Sequence, residues 1–148
     1  MKRTAIANAF VYALLLMGCG VVQSQSSQTP LEQMKLAERS SKVSVPVDVR
    51  YSLRGTPQRN QSLGLELAFV ARVAGQNLKV EFPREQSVSI ASGAASFAQQ
   101  KADPEGVVRR SLVVTPHTDQ GAVRVLVSMD VAGTRSFGVF TIPLRAQR

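Results

Sequence analysis

The 148-residue chain has one cysteine, one histidine, two tyrosines, six phenylalanines and no tryptophan. Each shortage closes a route. A single thiol excludes an intrachain disulfide, so stability must come from packing. So few rings leave little material for a carbohydrate platform or a base-stacking surface. One His and one Cys fall short of the three or four ligands a zinc site requires, and neither a metal nor a cofactor is expected. The ten acidic residues are scattered; Asp103 and Glu105 are close only because they share a turn, which is no basis for a paired-carboxylate glycosidase. "SGAAS" at Ser92 to Ser96 lacks the lysine and following helix of a phosphate-binding loop. His117 in "TPHTDQG", two residues before Asp119, is the sole anchor for a hydrolytic triad, and no Gly-x-Ser-x-Gly elbow accompanies it. A loop histidine in this setting reads as a solvated turn residue, so the chain is expected not to be an enzyme.

Hydrophobic residues make up 44% of the chain and charged residues 19%, enough apolar material for one packed core. Eighteen Lys and Arg against ten Asp and Glu give a formal charge of +8. Such a field attracts anionic lipid, polyanionic sugar or nucleic acid without selecting among them.

The N-terminus narrows the choice. Lys2 and Arg3 precede an apolar run from Ala5 to Met17, interrupted by Asn8 and Tyr12, and small Gly18 stands before Cys19. That run is about 13 residues, short of the ~20 that span a bilayer comfortably, so export and cleavage explain it better than a permanent span. Leu16-Met17-Gly18-Cys19 resembles the lipobox of bacterial lipoproteins. The resemblance implies removal of residues 1–18, a diacylglyceryl thioether on Cys19 and a new amine open to acylation. Each buried methylene adds ~0.8 kcal/mol, so two or three acyl chains hold a soluble domain on a membrane. In Gram-negative lipoproteins Asp after the cysteine often marks inner-membrane retention; Gly20 stands there instead, which implies the outer membrane with the domain facing the periplasm. Export also sets nucleic acid aside as a partner.

Beyond Cys19, "QSQSSQT" from Gln23 to Thr29 reads as a polar tether. Pro30 to Arg39 could form a short helix with Thr29 as N-cap and Pro30 at the first helical position, or a partly ordered spacer. Residues 19–41 are thus expected to be a lipidated tether, and 42–148 the domain. There the pattern turns to period two, the mark of half-buried strands. Val43, Val45, Val47 and Val49 alternate with polar residues, as do Leu63 to Val73, Leu78 to Phe82, and Val123 to Val131. Shorter runs surround Val88 and Ile90, Phe97, and Val108 to Val114, where Arg110 breaks the alternation. Phe137 to Leu144 closes the domain after a turn at Ala132-Gly133-Thr134. Seven or eight strands between turn residues predict an all-β antiparallel sandwich, immunoglobulin-like or fibronectin type III-like, with a small β-barrel as the alternative.

Two surface expectations follow. Arg50, Arg54 and Arg59 flank the turn-like "RGTPQRNQ" and could form a basic loop for lipid headgroups or an anionic envelope polymer. In "FGVFTIPL" Phe137 and Val139 occupy one face and Phe140, Ile142 and Leu144 the other; this means either a central strand with both faces covered or one face, read here as Phe140, Ile142 and Leu144, left as a partner surface. Pro46 and Pro143 place their strands at edges or bulges, and at an edge they guard against unwanted pairing more than they invite a partner's strand. The expected function is that of a membrane-anchored envelope protein that binds or braces another envelope protein, with polymer or headgroup binding through Arg50 to Arg59 as the alternative.

Overall fold

Alternating Val and Leu residues become strands because each strand sends successive side chains to opposite faces, and one face must be buried. The computed structural model describes residues 28–40 and 45–145. Cys19 and its surrounding motif, and Val43, lie outside them. Ten strands run in chain order: β1 (Lys35–Leu36), β2 (Glu38–Arg39), β3 (Val47–Arg54), β4 (Leu63–Ala71), β5 (Gly75–Glu81), β6 (Val88–Ser92), β7 (Phe97–Ala102), β8 (Val107–Pro116), β9 (Gln120–Val131) and β10 (Thr134–Arg145). They form two antiparallel sheets with the orders β1-β3-β4-β8-β6 and β2-β10-β9-β5-β7.

β3-β4-β8-β6 facing β10-β9-β5 is the four-plus-three strand order of an immunoglobulin constant-type sandwich, reached without that fold's cysteines and tryptophan. β7 is the addition: between the two sheet-A strands β6 and β8 in sequence, the chain returns to the second sheet and pairs with β5. The core is the predicted alternation made physical. Val47 and Val49, Leu65, Leu67 and Phe69, Leu112 and Val114 from the first sheet meet Leu78 and Val80, Val125, Val127 and Met129, and Phe140, Ile142 and Leu144 from the second. Each fully buried large side chain contributes about 1.5–3 kcal/mol of transfer free energy. The β9–β10 hairpin keeps register over twelve paired positions, from Thr134↔Val131 to Arg145↔Gln120. Its turn places Ala132 at φ 48° and Gly133 at φ 80°, the two left-handed positions of a type I′ hairpin, whose twist matches the flanking strands.

Two expectations need correction. The ordered fold begins before residue 42. Residues expected to form a tether or short helix instead make one 3₁₀ turn, Leu31–Gln33, followed by β1 on the edge of the first sheet and β2 on the edge of the second. Met34 and Ala37 are buried, and the Ala37 amide donates to the Val49 carbonyl. A helix loses here because the apolar stripe was thin, whereas the edges of β3 and β10 offer unpaired backbone groups. Second, Phe140, Ile142 and Leu144 are fully buried and form core, so they cannot be a partner surface. Arg110 breaks the apolar alternation as expected: it is the charged residue in the core-facing row of β8, at the open side of the sandwich, with its guanidinium 4.2 Å from the Phe97 ring centroid. Pro143 keeps its register against Ala122, beyond the two residues of β10 that β2 covers, on the edge as expected.

Candidate functional site

The outer face of the first sheet is not bare. Register aligns Arg50, Ala68 and Arg109 on one rung, and Ser52, Glu66 and Ser111 on the next. Residues 28–34 cross these rungs as a strap. The Thr29 amide donates to Glu66 Oε2 at 3.0 Å, and the Thr29 carbonyl accepts from Arg109 Nη1 at 2.8 Å. The Thr29 hydroxyl reaches Ser52 Oγ at 3.4 Å, and Arg50 Nη1 donates to the Leu31 carbonyl at 3.4 Å. Met34 is buried with its Sδ 3.7 Å from Arg109 Nη1. Ala68 is fully buried although it points away from the core. A small apolar residue at an outward position is what a covered face requires.

Glu66 is the hub. It is 5% exposed, the one charged residue among the buried side chains of the described residues. Arg54 donates to Oε1 through Nε at 2.8 Å and through Nη2 as well. Burial by itself would raise the Glu66 carboxyl, but hydrogen bonds from Thr29 and Arg54 and the Arg54 charge outweigh it and hold the group below its ordinary value of 4.5. Alternation within Leu63 to Val73 puts Glu66 on the face opposite the leucines without saying that this face is covered. The sequence signal for a cover is Ala68 two positions on, too small and apolar for an open polar face.

The three arginines expected to form one basic loop are distributed. Arg50 and Arg54 stand on the outer face of β3, one against the strap and one on Glu66; Arg59 lies in the β3–β4 loop and donates to the His117 carbonyl at 3.1 Å. His117 is exposed, with Nδ1 3.3 Å from Asn60 Oδ1 and its amide bonded to the Ser87 carbonyl, so its contacts are those of a loop brace. Among the described residues no group of three His, Cys, Asp or Glu side chains could hold a metal ion. A cleft of about 470 Å³ opens between the edges of β3 and β10, lined by Lys35, Glu38, Tyr51, Pro143 and Arg145 among others. Burial, with the nearby Glu38 carboxylate, pushes the Tyr51 phenol up and keeps it neutral.

The second sheet presents a different outer face. Phe137 is 64% exposed and Leu126 37% exposed. Val139 pairs directly with Leu126, and Phe137 lies one same-face step along β10, opposite Ser128. Ion pairs rim this apolar cluster: Lys79 Nζ to Glu81 at 2.9 Å and Arg135 Nη1 to Asp130 at 3.4 Å. Thus on β10 it is the Phe137 face, opposite the one expected, that is exposed.

No protein-family model matches the sequence, and no curated protein matches it. Among solved structures, the GAE domain of GGA2p from Saccharomyces cerevisiae is similar at 12% identity and a TM-score of 0.49, over 77% of this chain and 99% of that domain. The fold assignment rests on this chain's own strand order.

Proposed function

We propose that this chain is a lipid-anchored, non-enzymatic protein of the bacterial cell envelope whose sandwich binds or braces another envelope protein. The observation that carries the binding half is the apolar cluster of exposed Phe137 and Leu126 with half-buried Val139 on a sheet face rimmed by ion pairs. An aromatic anchor within a polar rim is the composition of a protein contact. Anchoring follows from the lipobox-like Leu16-Met17-Gly18-Cys19, with Gly20 pointing to the outer membrane and the domain to the periplasm.

Affinity capture from detergent-solubilised membranes tests this reading, using the wild type beside Phe137→Ser at low and high salt. Retention of one envelope protein in high salt, lost with Phe137→Ser, supports bracing through this face. Retention that Phe137→Ser leaves unchanged overturns that assignment. The second reading, an anionic polymer or headgroup ligand, draws on Arg50 and Arg109, whose hydrogen bonds go to neutral carbonyls; it requires retention that salt removes.

A further inference from the structure

We propose that the cleft between the edges of β3 and β10 binds the C-terminal end of a peptide chain, its carboxylate set between Lys35 and Arg145. This site stands apart from the Cys19 anchor and from the Phe137 face, and it depends on neither. Three observations meet in it.

The first is an unused hydroxyl. Tyr51 is 8% exposed and lines the cleft from the inner row of β3. Among the described residues nothing hydrogen-bonds its phenol oxygen, yet that oxygen is not sealed from solvent. A buried ring whose one polar atom has no protein partner offers that atom to whatever enters the cleft. Burial and the Glu38 charge raise the phenol against a smaller lowering by Arg145, so at neutral pH the hydroxyl keeps its proton to donate.

The second is charge. Register sets Lys35 directly opposite Tyr51, on the same side of the sheet, and Arg145 enters from the end of β10. Neither makes an ion pair with a described residue. Glu38 on the cleft wall offsets one of the two. One positive charge is left, the complement of a single carboxylate rather than of a phosphate.

The third is backbone. Val49 turns its carbonyl to the Ala37 amide on the β1 side, and by alternation Tyr51 and Leu53 turn theirs the same way. β1 reaches no further than Lys35, opposite Tyr51, and the Gln33 amide is taken by the Pro30 carbonyl. The N–H and C=O of Leu53 therefore face the cleft without a strand partner among the described residues. On the facing wall Pro143 has no N–H to give, and β3 itself stops at Arg54. One free backbone pair suits the last residues of a chain and not a whole added strand. A chain lying antiparallel to β3, as β1 does, points its C-terminus from Leu53 toward Tyr51 and Lys35. The cleft volume, about 470 Å³, lies within the range of small-ligand pockets.

The test titrates the full chain in detergent with a pool of random hexapeptides free of Asp and Glu, made with either a free or an amidated C-terminus. The free-carboxylate pool should bind at least about tenfold more tightly. Tyr51→Phe should weaken its binding about threefold to tenfold, and Lys35→Gln with Arg145→Gln at least about tenfold. Phe137→Ser should leave it unchanged. Lys35 and Arg145 are exposed, so their double variant keeps the fold even where Tyr51→Phe disturbs it. Equal binding of the two pools, no binding of either, or binding that Lys35→Gln with Arg145→Gln leaves intact overturns the proposal. Loss of binding with Phe137→Ser overturns it too, since the peptides would then sit on the other face. Acetate that competes as well, mole for mole, as the free-carboxylate peptides overturns the peptide assignment in favour of a small-carboxylate site.

Discussion

The backbone amide of Thr29 donates to the Glu66 carboxylate at 3.0 Å across 37 residues of sequence, and the carbonyl of the same residue accepts from Arg109 across 80. One residue of the strap is thus gripped from both sides by the face it covers. Arg54 completes the arrangement by neutralising the buried carboxylate from its open side. The strap belongs to the folded unit because three strands of one sheet supply its partners.

Glu66→Gln should loosen the strap and cost about 1–3 kcal/mol at neutral pH, since a charged acceptor of several hydrogen bonds is replaced by a neutral one. The folded carboxyl lies below its ordinary value of 4.5. Ionised Glu66 therefore stabilises the fold fully above the unfolded value, and that contribution is lost as pH falls through the folded one. Urea denaturation of wild type and Glu66→Gln across pH should show their stability gap closing in acid. A gap that stays constant from neutral to strongly acidic pH would contradict the coupling.

Phe140→Ala should cost about 3–5 kcal/mol, as expected for an aromatic ring removed from a packed core. Phe137→Ser, three residues earlier on the other face, should stay within about 0.5 kcal/mol of wild type. Thermal or urea unfolding of the pair checks which side of β10 is core.

Gly93 and Gly133 both have left-handed φ values, +83° and +80°, but different surroundings. A Cβ on Gly133 meets open space, so Gly133→Ala should cost only the conformational strain of about 1–2 kcal/mol. A Cβ on Gly93 would stand 2.2 Å from the Ser111 carbonyl oxygen, which is backbone and cannot swing aside. Gly93→Ala should therefore be the more damaging of the two, and comparative melting curves would rank them.

Ala132 adopts φ 48° in the β9–β10 turn, a conformation that Asn tolerates better than Ala. Ala132→Asn creates the Asn-Gly pair that type I′ turns prefer and should stabilise the domain by about 0.5–1 kcal/mol. Equilibrium unfolding would reveal a higher midpoint with unchanged slope.

Cys19→Ser should abolish lipid labelling in cells and leave an unprocessed or mislocalised protein. Normal maturation and membrane retention of this variant would refute the lipobox reading of Leu16 to Cys19.

Much of the sandwich was legible because alternation is a local property. Val123, Val125, Val127 and Met129 announce a strand with one buried face whatever it packs against, and all four are core. The Ala132-Gly133 turn was equally visible, since left-handed backbone has its own residue preferences. β10 was harder: Phe137 with Val139 and Phe140 with Ile142 make both of its faces apolar, and period two cannot say which is inside. The basic loop failed for a related reason. Arg50, Arg54 and Arg59 are close in sequence, but where a guanidinium settles depends on acceptors brought from elsewhere.

By itself, then, the sequence determined that the domain is built of antiparallel strands around a Val- and Leu-rich core without disulfides, and where its turns fall. Side-chain alternation and backbone conformational preference act within a few residues, so one sequence suffices to read them. Tertiary structure alone decided that Phe140 is core and Phe137 surface, that Glu66 is covered, and that residues 28–34 lie across the first sheet. Those outcomes depend on which distant strands are paired, and hydrogen bonds from Thr29 to Glu66 and Arg109 leave no periodic trace in the chain that makes them.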